Sequence, residues 1–309
     1  MKIFIEIPSW LGDAVMTTPA IENIVSTYPN AKLVIFGSFV STRLFLYHPN
    51  LDKIIVDDSK KQGFRYLNLY RLAKSVGEVD LALSFRKNFT SKYLLFFISS
   101  PQKYIYRRYT KEELHQVIRY NDFINLSLNV DTTPASLKIY KPYKQIKKSK
   151  PLLGINAGAT YGSAKRWYPT EFAKVAIALS TQYDIILFGS QAEKPLVDEI
   201  EQLLIKYNIT NYQNLVGKTS VEELIEHIST LDLFITNDSG PMHIAGAFGI
   251  KTVAIFGPTK HTETHQWSNK NEIIVRKEIK CSPCMKRVCP LKHHECMKLI
   301  EARDVLEAL

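Results

Sequence analysis

Asn237, Asp238, Ser239, Gly240 and His243 fall within seven positions, in the stretch "TNDSGPMHIAGAFGIKTVAIFGPT". A short run of β-prone residues, LDLFIT, precedes them, and MHIAGAFG has helix-forming spacing up to a stop at Gly249. The Ser239 and Gly240 amides would therefore open a helix with N–H groups that no intrahelical carbonyl reaches, which makes an anion seat. Asp or Ser would also serve as a plain helix cap. A cap needs only one such residue, and the density of polar groups favours a ligand site.

Three other stretches carry candidate chemistry. In "PSWLGDAVMTTP", Gly12 and Asp13 lie between the first strand and the first helix. An ionised carboxylate there accepts only, which suits it to take a proton from a sugar hydroxyl; the alternative is a cap on that helix. In "GINAGATYGSAKRW", small residues precede Lys165 and Arg166, so a backbone loop can approach a phosphate that the cations neutralise. The loop matches neither G-x-G-x-x-G nor G-x-x-x-x-G-K-[ST], which leaves a dehydrogenase or a P-loop enzyme unsupported. In "FGSQAEKP", Glu193 is placed either to bind a ribose hydroxyl pair or to satisfy a first helical turn.

All four cysteines fall in "CSPCMKRVCPLKHHEC". Cys281, Cys284, Cys289 and Cys296 make a C-x2-C-x4-C-x6-C pattern, compact but unlike familiar zinc fingers. It suits a structural metal cluster or four reduced thiols, and a structural role ahead of a catalytic one. The chain's formal charge of +10 favours anionic partners, but no nucleic-acid motif accompanies it. The excess gathers around Arg86, Lys87, Lys92, Lys103, Arg107, Arg108 and Lys111, and again in KIYKPYKQIKKSKP. The first of these groups is a candidate surface for an anionic partner, with a solvated basic face as the alternative.

Positioning these residues calls for repeated strand–helix alternation. It runs through KIFIEI, TTPAIENIVSTY, KLVIFG, KIIVDD and DLALSF, and restarts at LLGINA after a Lys/Pro-rich stretch, 138–151, expected to be the linker. Two α/β domains are expected, 1–145 and 151–309, each a doubly wound Rossmann-like unit, facing each other across a ligand cleft. The echo of VIFGS at Val34–Ser38 in ILFGS at Ile186–Ser190 supports two equivalent halves. Met16, Phe36, Phe96 and Phe97 are expected in the core. Glu6 and Pro8 interrupt the N-terminal apolar run, so it is expected to be a first strand and not a signal peptide. The longest apolar run, YLLFFI, is too short to cross a bilayer, and a soluble or membrane-peripheral cytoplasmic protein is expected.

In order along the chain, "GDAVMTTPAIENI", "GATYGSAKRW", the Asn237–His243 block and the cysteine-rich close resemble glycosyltransferase family 9, the bacterial heptosyltransferases. The tail is more similar to the branch that adds the second inner-core heptose of lipopolysaccharide than to the branch that adds the first, to Kdo. The resemblance implies a GT-B fold with the donor nucleotide in the C-terminal domain and the acceptor in the N-terminal one, which makes Arg86, Lys87 and Lys92 candidate acceptor-binding residues. It implies inverting transfer from ADP-heptose to a lipid A-core precursor at the inner membrane surface, with no cofactor and no catalytic metal. It makes Asp13 the general base and Lys165 a pyrophosphate or leaving-group cation. Glu193 becomes a ribose ligand, and Ser239 and Gly240 the phosphate-holding amides. Asp238 would face the heptose hydroxyls, His243 would support the site, and Thr160 would add a phosphate contact. Tyr161 departs from the pattern, standing where a small hydroxyl residue is expected. The rivals are another GT-B enzyme such as a nucleotide-sugar epimerase, and a nucleotide-binding adaptor in which Asp13 only caps a helix.

Overall fold

KIFIE forms β1 (Lys2–Glu6), buried from Ile3 onward, in a computed structural model that describes residues 1–61, 63–142 and 148–309. The chain divides into two compact units, Met1–Tyr143 and Lys144–Leu309. In the first, β1 is followed by α1 (Leu11–Met16), α2 (Thr18–Thr27), β2 (Lys32–Gly37), α3 (Phe39–Thr42) and β3 (Leu51–Val56). Then come α4 (Arg65–Val76), β4 (Leu81–Ser84), α5 (Phe89–Phe97), β5 (Gln102–Ile105) and α6 (Gln116–Leu128). All neighbouring strands pair in parallel, in the order β3-β2-β1-β4-β5. Parallel strands need crossover helices that cover the sheet, which is why β1 and β4 are almost continuously apolar. On one face Phe4, Val34, Phe36 and Ala82 pack with Leu69 and Ala73 of α4 and Leu94 and Leu95 of α5.

The second unit repeats the plan. Its elements are β6 (Leu152–Asn156), α7 (Pro169–Leu179), β7 (Asp184–Phe188), α8 (Lys194–Lys206), β8 (Tyr212–Asn214) and α9 (Val221–Ile228). They continue with β9 (Leu233–Asn237), α10 (Gly240–Ala247), β10 (Lys251–Ile255), α11 (His261–Thr264), β11 (Glu272–Val275), α12 (Glu295–Lys298) and α13 (Ala302–Glu307). Strand order is β11-β10-β9-β6-β7-β8, again parallel throughout, so VIFGS and ILFGS do lie on equivalent second strands, β2 and β7. Gly249, at φ +66, follows the end of α10, a conformation that costs glycine little.

Two expectations need correction. Met16 and Phe36 are core, but Phe96 is 75% exposed and Phe97 only partly buried. Six consecutive apolar residues, Tyr93–Ile98, cover every side of helix α5, so some of them must face outward. The stretch 138–151 is not wholly a linker: Ile139 is buried, the Lys138 amide donates to Thr18 Oγ1 (3.0 Å) and the Tyr140 hydroxyl to Glu22 Oε2 (3.0 Å). The middle of that stretch, 143–147, lies outside the described residues.

Candidate active site

In an open parallel sheet, ligands collect beyond the carboxyl ends of the strands where the strand order reverses. Here the reversals fall between β1 and β4 and between β6 and β9. Asp13 follows β1, Arg86 to Lys92 follow β4, Lys165 follows β6 and Asp238 follows β9. Four widely separated stretches thus reach the ends of their domains where chemistry is housed.

In the second domain, two buried asparagines end the two strands. Asn156 Nδ2 faces the Gly158 carbonyl (3.3 Å), Thr236 Oγ1 (3.2 Å) and Ser239 Oγ (3.2 Å). Asn237 Nδ2 donates to the Ala157 carbonyl (2.8 Å), and its Oδ1 accepts the Trp167 amide (3.0 Å). Together they tie the loop after β6 to the turn after β9. Ser239 occupies the N-cap position of α10, but no side chain caps that helix; the Ser239 hydroxyl instead meets Asn156 and Thr236. His243 is buried in the opening turn of α10.

Beside this turn, Lys165 Nζ pairs with Asp238 Oδ2 at 2.5 Å, and the Thr259 hydroxyl donates to the same oxygen at 2.6 Å. The two charged side chains are only 13% and 4% exposed, a setting in which an ion pair is weakly screened. The Lys165 ammonium lies 4.9 Å from the centre of the Tyr161 ring, and the Arg287 guanidinium 5.4 Å from the same ring. The Tyr161 hydroxyl donates to the Met285 carbonyl (2.9 Å), the Ala164 amide to the Arg287 carbonyl (3.0 Å) and His294 Nε2 to the Ala164 carbonyl (2.9 Å). A β-carbon on Gly162 would collide with the Arg287 carbonyl, so only glycine allows that approach. Tyr161 is large because it joins the lysine-bearing loop to the cysteine-rich tail.

Glu193 is buried and closes a reciprocal cap: Oε2 accepts from the Ser190 amide (2.8 Å) and hydroxyl (2.9 Å). Its carboxyl group also rests against Gly158, where a β-carbon would overlap it, so it borders the loop after β6. Thr160 is exposed on the turn before Tyr161. Asn156, Thr259 and Arg287 belong to this assembly and were not singled out from the sequence. Asn156 had a signal, a polar residue ending a buried strand as Asn237 does; Thr259 and Arg287 had none.

In the first domain, Asp13 is half-buried in the first turn of α1, whose N-cap Trp10 makes no side-chain cap bond. Burial first, and the Asp13 charge next, push the Tyr120 hydroxyl of α6 well above its ordinary value, which marks Asp13 and Tyr120 as neighbours. Glu6, ending β1, is fully buried; it accepts from the hydroxyls of Ser84 (2.6 Å) and Ser91 (2.9 Å) and pairs with Arg86 (3.2 Å). Burial lifts its carboxyl above the ordinary value, with Arg86 and the two serines pulling it back. Lys87 and Lys92 are exposed, and Asn88 between them caps α5 through the Ser91 amide (2.9 Å).

The four cysteines are unbridged. With His293 they line a cavity of about 20 Å³, and Cys281 Sγ lies 3.8 Å from His293 Nε2. Burial, with the other three thiols adding, pushes the Cys296 thiol up to about 11. Among the described residues no three His, Cys, Asp or Glu side chains are arranged to hold a metal ion.

Two Rossmann-like domains, each a parallel sheet with charged groups gathered beyond its strand ends, make the GT-B fold. The chain belongs to glycosyltransferase family 9 (heptosyltransferase), whose sequence profile matches residues 69–295. It is 44% identical to lipooligosaccharide heptosyltransferase 2 of Campylobacter jejuni subsp. jejuni, over 100% of this chain and 98% of that protein. It is 30% identical to lipooligosaccharide heptosyltransferase 2 of Haemophilus influenzae, over 89% of this chain and 88% of that one. Its fold resembles that of ADP-heptose LPS heptosyltransferase II of E. coli, with a TM-score of 0.81 at 22% identity over 100% and 97% of the two chains. Among the described residues no helix is long and apolar enough to cross a membrane.

Proposed function

We propose that this protein transfers heptose from ADP-heptose to the inner-core heptose of a lipid A-core precursor, with inversion at the anomeric carbon. The observation that carries this reading is the 44% identity, along the whole chain, to a lipooligosaccharide heptosyltransferase 2. The donor diphosphate would sit at the start of α10, on the Ser239 and Gly240 amides, with Lys165 beside it and Thr160 as a further contact. The proximity of Lys165, Asp238 and the α10 N-terminus supports this arrangement. Asp238 and His243 would orient the heptose, and Glu193 would take ribose hydroxyls with the carboxyl edge not engaged by Ser190.

The reaction is a single displacement. The acceptor hydroxyl oxygen forms a bond to the anomeric carbon as the bond from that carbon to the β-phosphate oxygen breaks. The acceptor proton passes to the Asp13 carboxylate, and ADP leaves with the bonding electrons, its charge balanced by Lys165 and the helix amides. These groups already supply positive charge at the leaving group, so we infer that no divalent ion and no cofactor takes part. Lys87 and Lys92, with Arg86 holding their loop to Glu6, are the proposed contacts for acceptor phosphates. Such an acceptor is lipid-anchored, so the enzyme would work in the cytoplasm at the inner membrane surface.

Incubating the protein with ADP-heptose and a truncated core acceptor, then weighing the product by mass spectrometry, tests the reading. A gain of one heptose on a heptose-terminated acceptor supports it. Transfer only to a Kdo-terminated acceptor, or no transfer, overturns it.

A further inference from the structure

The outer sides of α4 and α5 carry an exposed ladder of aromatic rings. Tyr66 lies 5.9 Å from Phe64, 6.1 Å from Phe89 and 5.1 Å from Tyr93, measured between ring centres. From Tyr93 the contacts continue to Phe97 (4.9 Å), and Phe97 touches both Tyr70 and Phe96 at 5.0 Å. Phe64, Phe89 and Phe96 are 70%, 67% and 75% exposed. One such ring on a surface is ordinary, but a joined row of them marks an interaction face.

One cation lies against a ring of the row and two more are held beside it. Lys74 Nζ stands 5.7 Å from the Tyr70 ring centre, Lys103 Nζ donates to the Phe96 carbonyl (3.2 Å), and Arg65 donates to Thr90 Oγ1 (3.1 Å). From Lys60 to Lys111 the sequence holds twelve Lys and Arg against two Asp and Glu. That surplus of ten equals the formal +10 of the whole chain, so the remaining residues sum to zero.

Aromatic rings amid cations match the interface of an anionic bilayer: rings settle at headgroup depth while Lys and Arg meet phosphates. A second copy of this chain fits poorly, since it would bring the same positive charge to the contact. We propose that the α4–α5 face docks on an anionic lipid bilayer, with Phe64, Phe89 and Phe96 entering the headgroup layer and Lys74 and Lys103 binding lipid phosphates. This deepens the proposed function by naming the surface that meets the membrane, and it stands on geometry independent of the transfer step.

The test is flotation of the full chain with vesicles of phosphatidylglycerol and phosphatidylcholine, against vesicles of phosphatidylcholine alone. Binding should be on the order of tenfold stronger to the anionic vesicles, fall with added salt, and persist in millimolar inorganic phosphate. Phe64→Ser with Phe96→Ser should weaken it about tenfold at unchanged Tm, and Lys74→Gln with Lys103→Gln should flatten its salt dependence. Transfer to a water-soluble acceptor should not change in the Phe64→Ser, Phe96→Ser variant. Equal binding to both vesicles, displacement by free phosphate, or unaltered binding by the variants overturns the proposal. So does a wild-type dimer that F64S/F96S converts to monomer, which would assign the face to a second copy. Absence of transfer in the wild type would defeat the catalytic reading and leave the vesicle result standing.

Discussion

Each domain places a carboxylate and a cation at the same point of its sheet, with the signs exchanged. In the first, the acid ends the central strand, Glu6 of β1, and the base follows β4, Arg86. In the second, the base follows the central strand, Lys165 after β6, and the acid follows β9, Asp238. The difference is in how the pairs are held. Glu6 is fully buried and occupied by two serines, which makes it a strut for the loop that carries Lys87 and Lys92. Lys165 is partly exposed beside a helix N-terminus, where the proposed function has its ammonium exchange the carboxylate for a phosphate. On that proposal, equivalent positions serve architecture in one half and ligand exchange in the other.

The variants that break this contrast differ in expected size. Asp13→Asn should lower kcat by roughly 10² to 10⁴ with donor binding and Tm intact, the usual contribution of a positioned base. Near-normal turnover would return Asp13 to a structural role. Lys165→Ala should reduce kcat/KM for ADP-heptose about 10- to 100-fold, since charge-assisted bonds are worth about 1.5–3 kcal/mol. An unchanged donor KM and rate would remove it from the site.

The strut should behave otherwise. Arg86→Gln is expected to cost about 1–3 kcal/mol of stability while the ADP-heptose KM stays at the wild-type value. Its defect should depend on pH. A carboxyl whose value is raised by folding favours the fold in its protonated form. That contribution is complete below the ordinary 4.5 and is lost as pH rises through the raised value. Melting curves of R86Q should therefore lie furthest below wild type at pH above the raised value and approach it as pH falls toward the ordinary 4.5. A gap independent of pH would mean that Glu6 is not what Arg86 holds. Asp238→Asn is the smallest change: ADP should bind a few-fold tighter once Lys165 loses its competitor, which calorimetry would detect. Weaker ADP binding would count against exchange.

Much of the architecture was legible because strand–helix alternation and polar strand ends are local signals. The turn at Asn237–Gly240 and the loop ending in Lys165 could be read as strand-end sites from a dozen residues each. Glu6 was visible only as an interruption of an apolar run, since its partners Ser84 and Arg86 lie about eighty residues away. Arg287 reaches the Tyr161 ring from the tail, a contact that neither stretch announces. Phe96 was misread as core because a wholly apolar helical run has no polar side to reveal which residues face water.

The pairing of Lys165 with Asp238 also bears on the end of the catalytic cycle. A cation left bare in an empty site would clasp ADP after the sugar has gone and slow its departure. Here a resident carboxylate is steadied by Thr259, and in the proposed cycle it would reclaim the ammonium as the diphosphate loosens. In that proposed cycle donor affinity would be a difference between two ion pairs, with tight holding given up for quick release of the nucleotide.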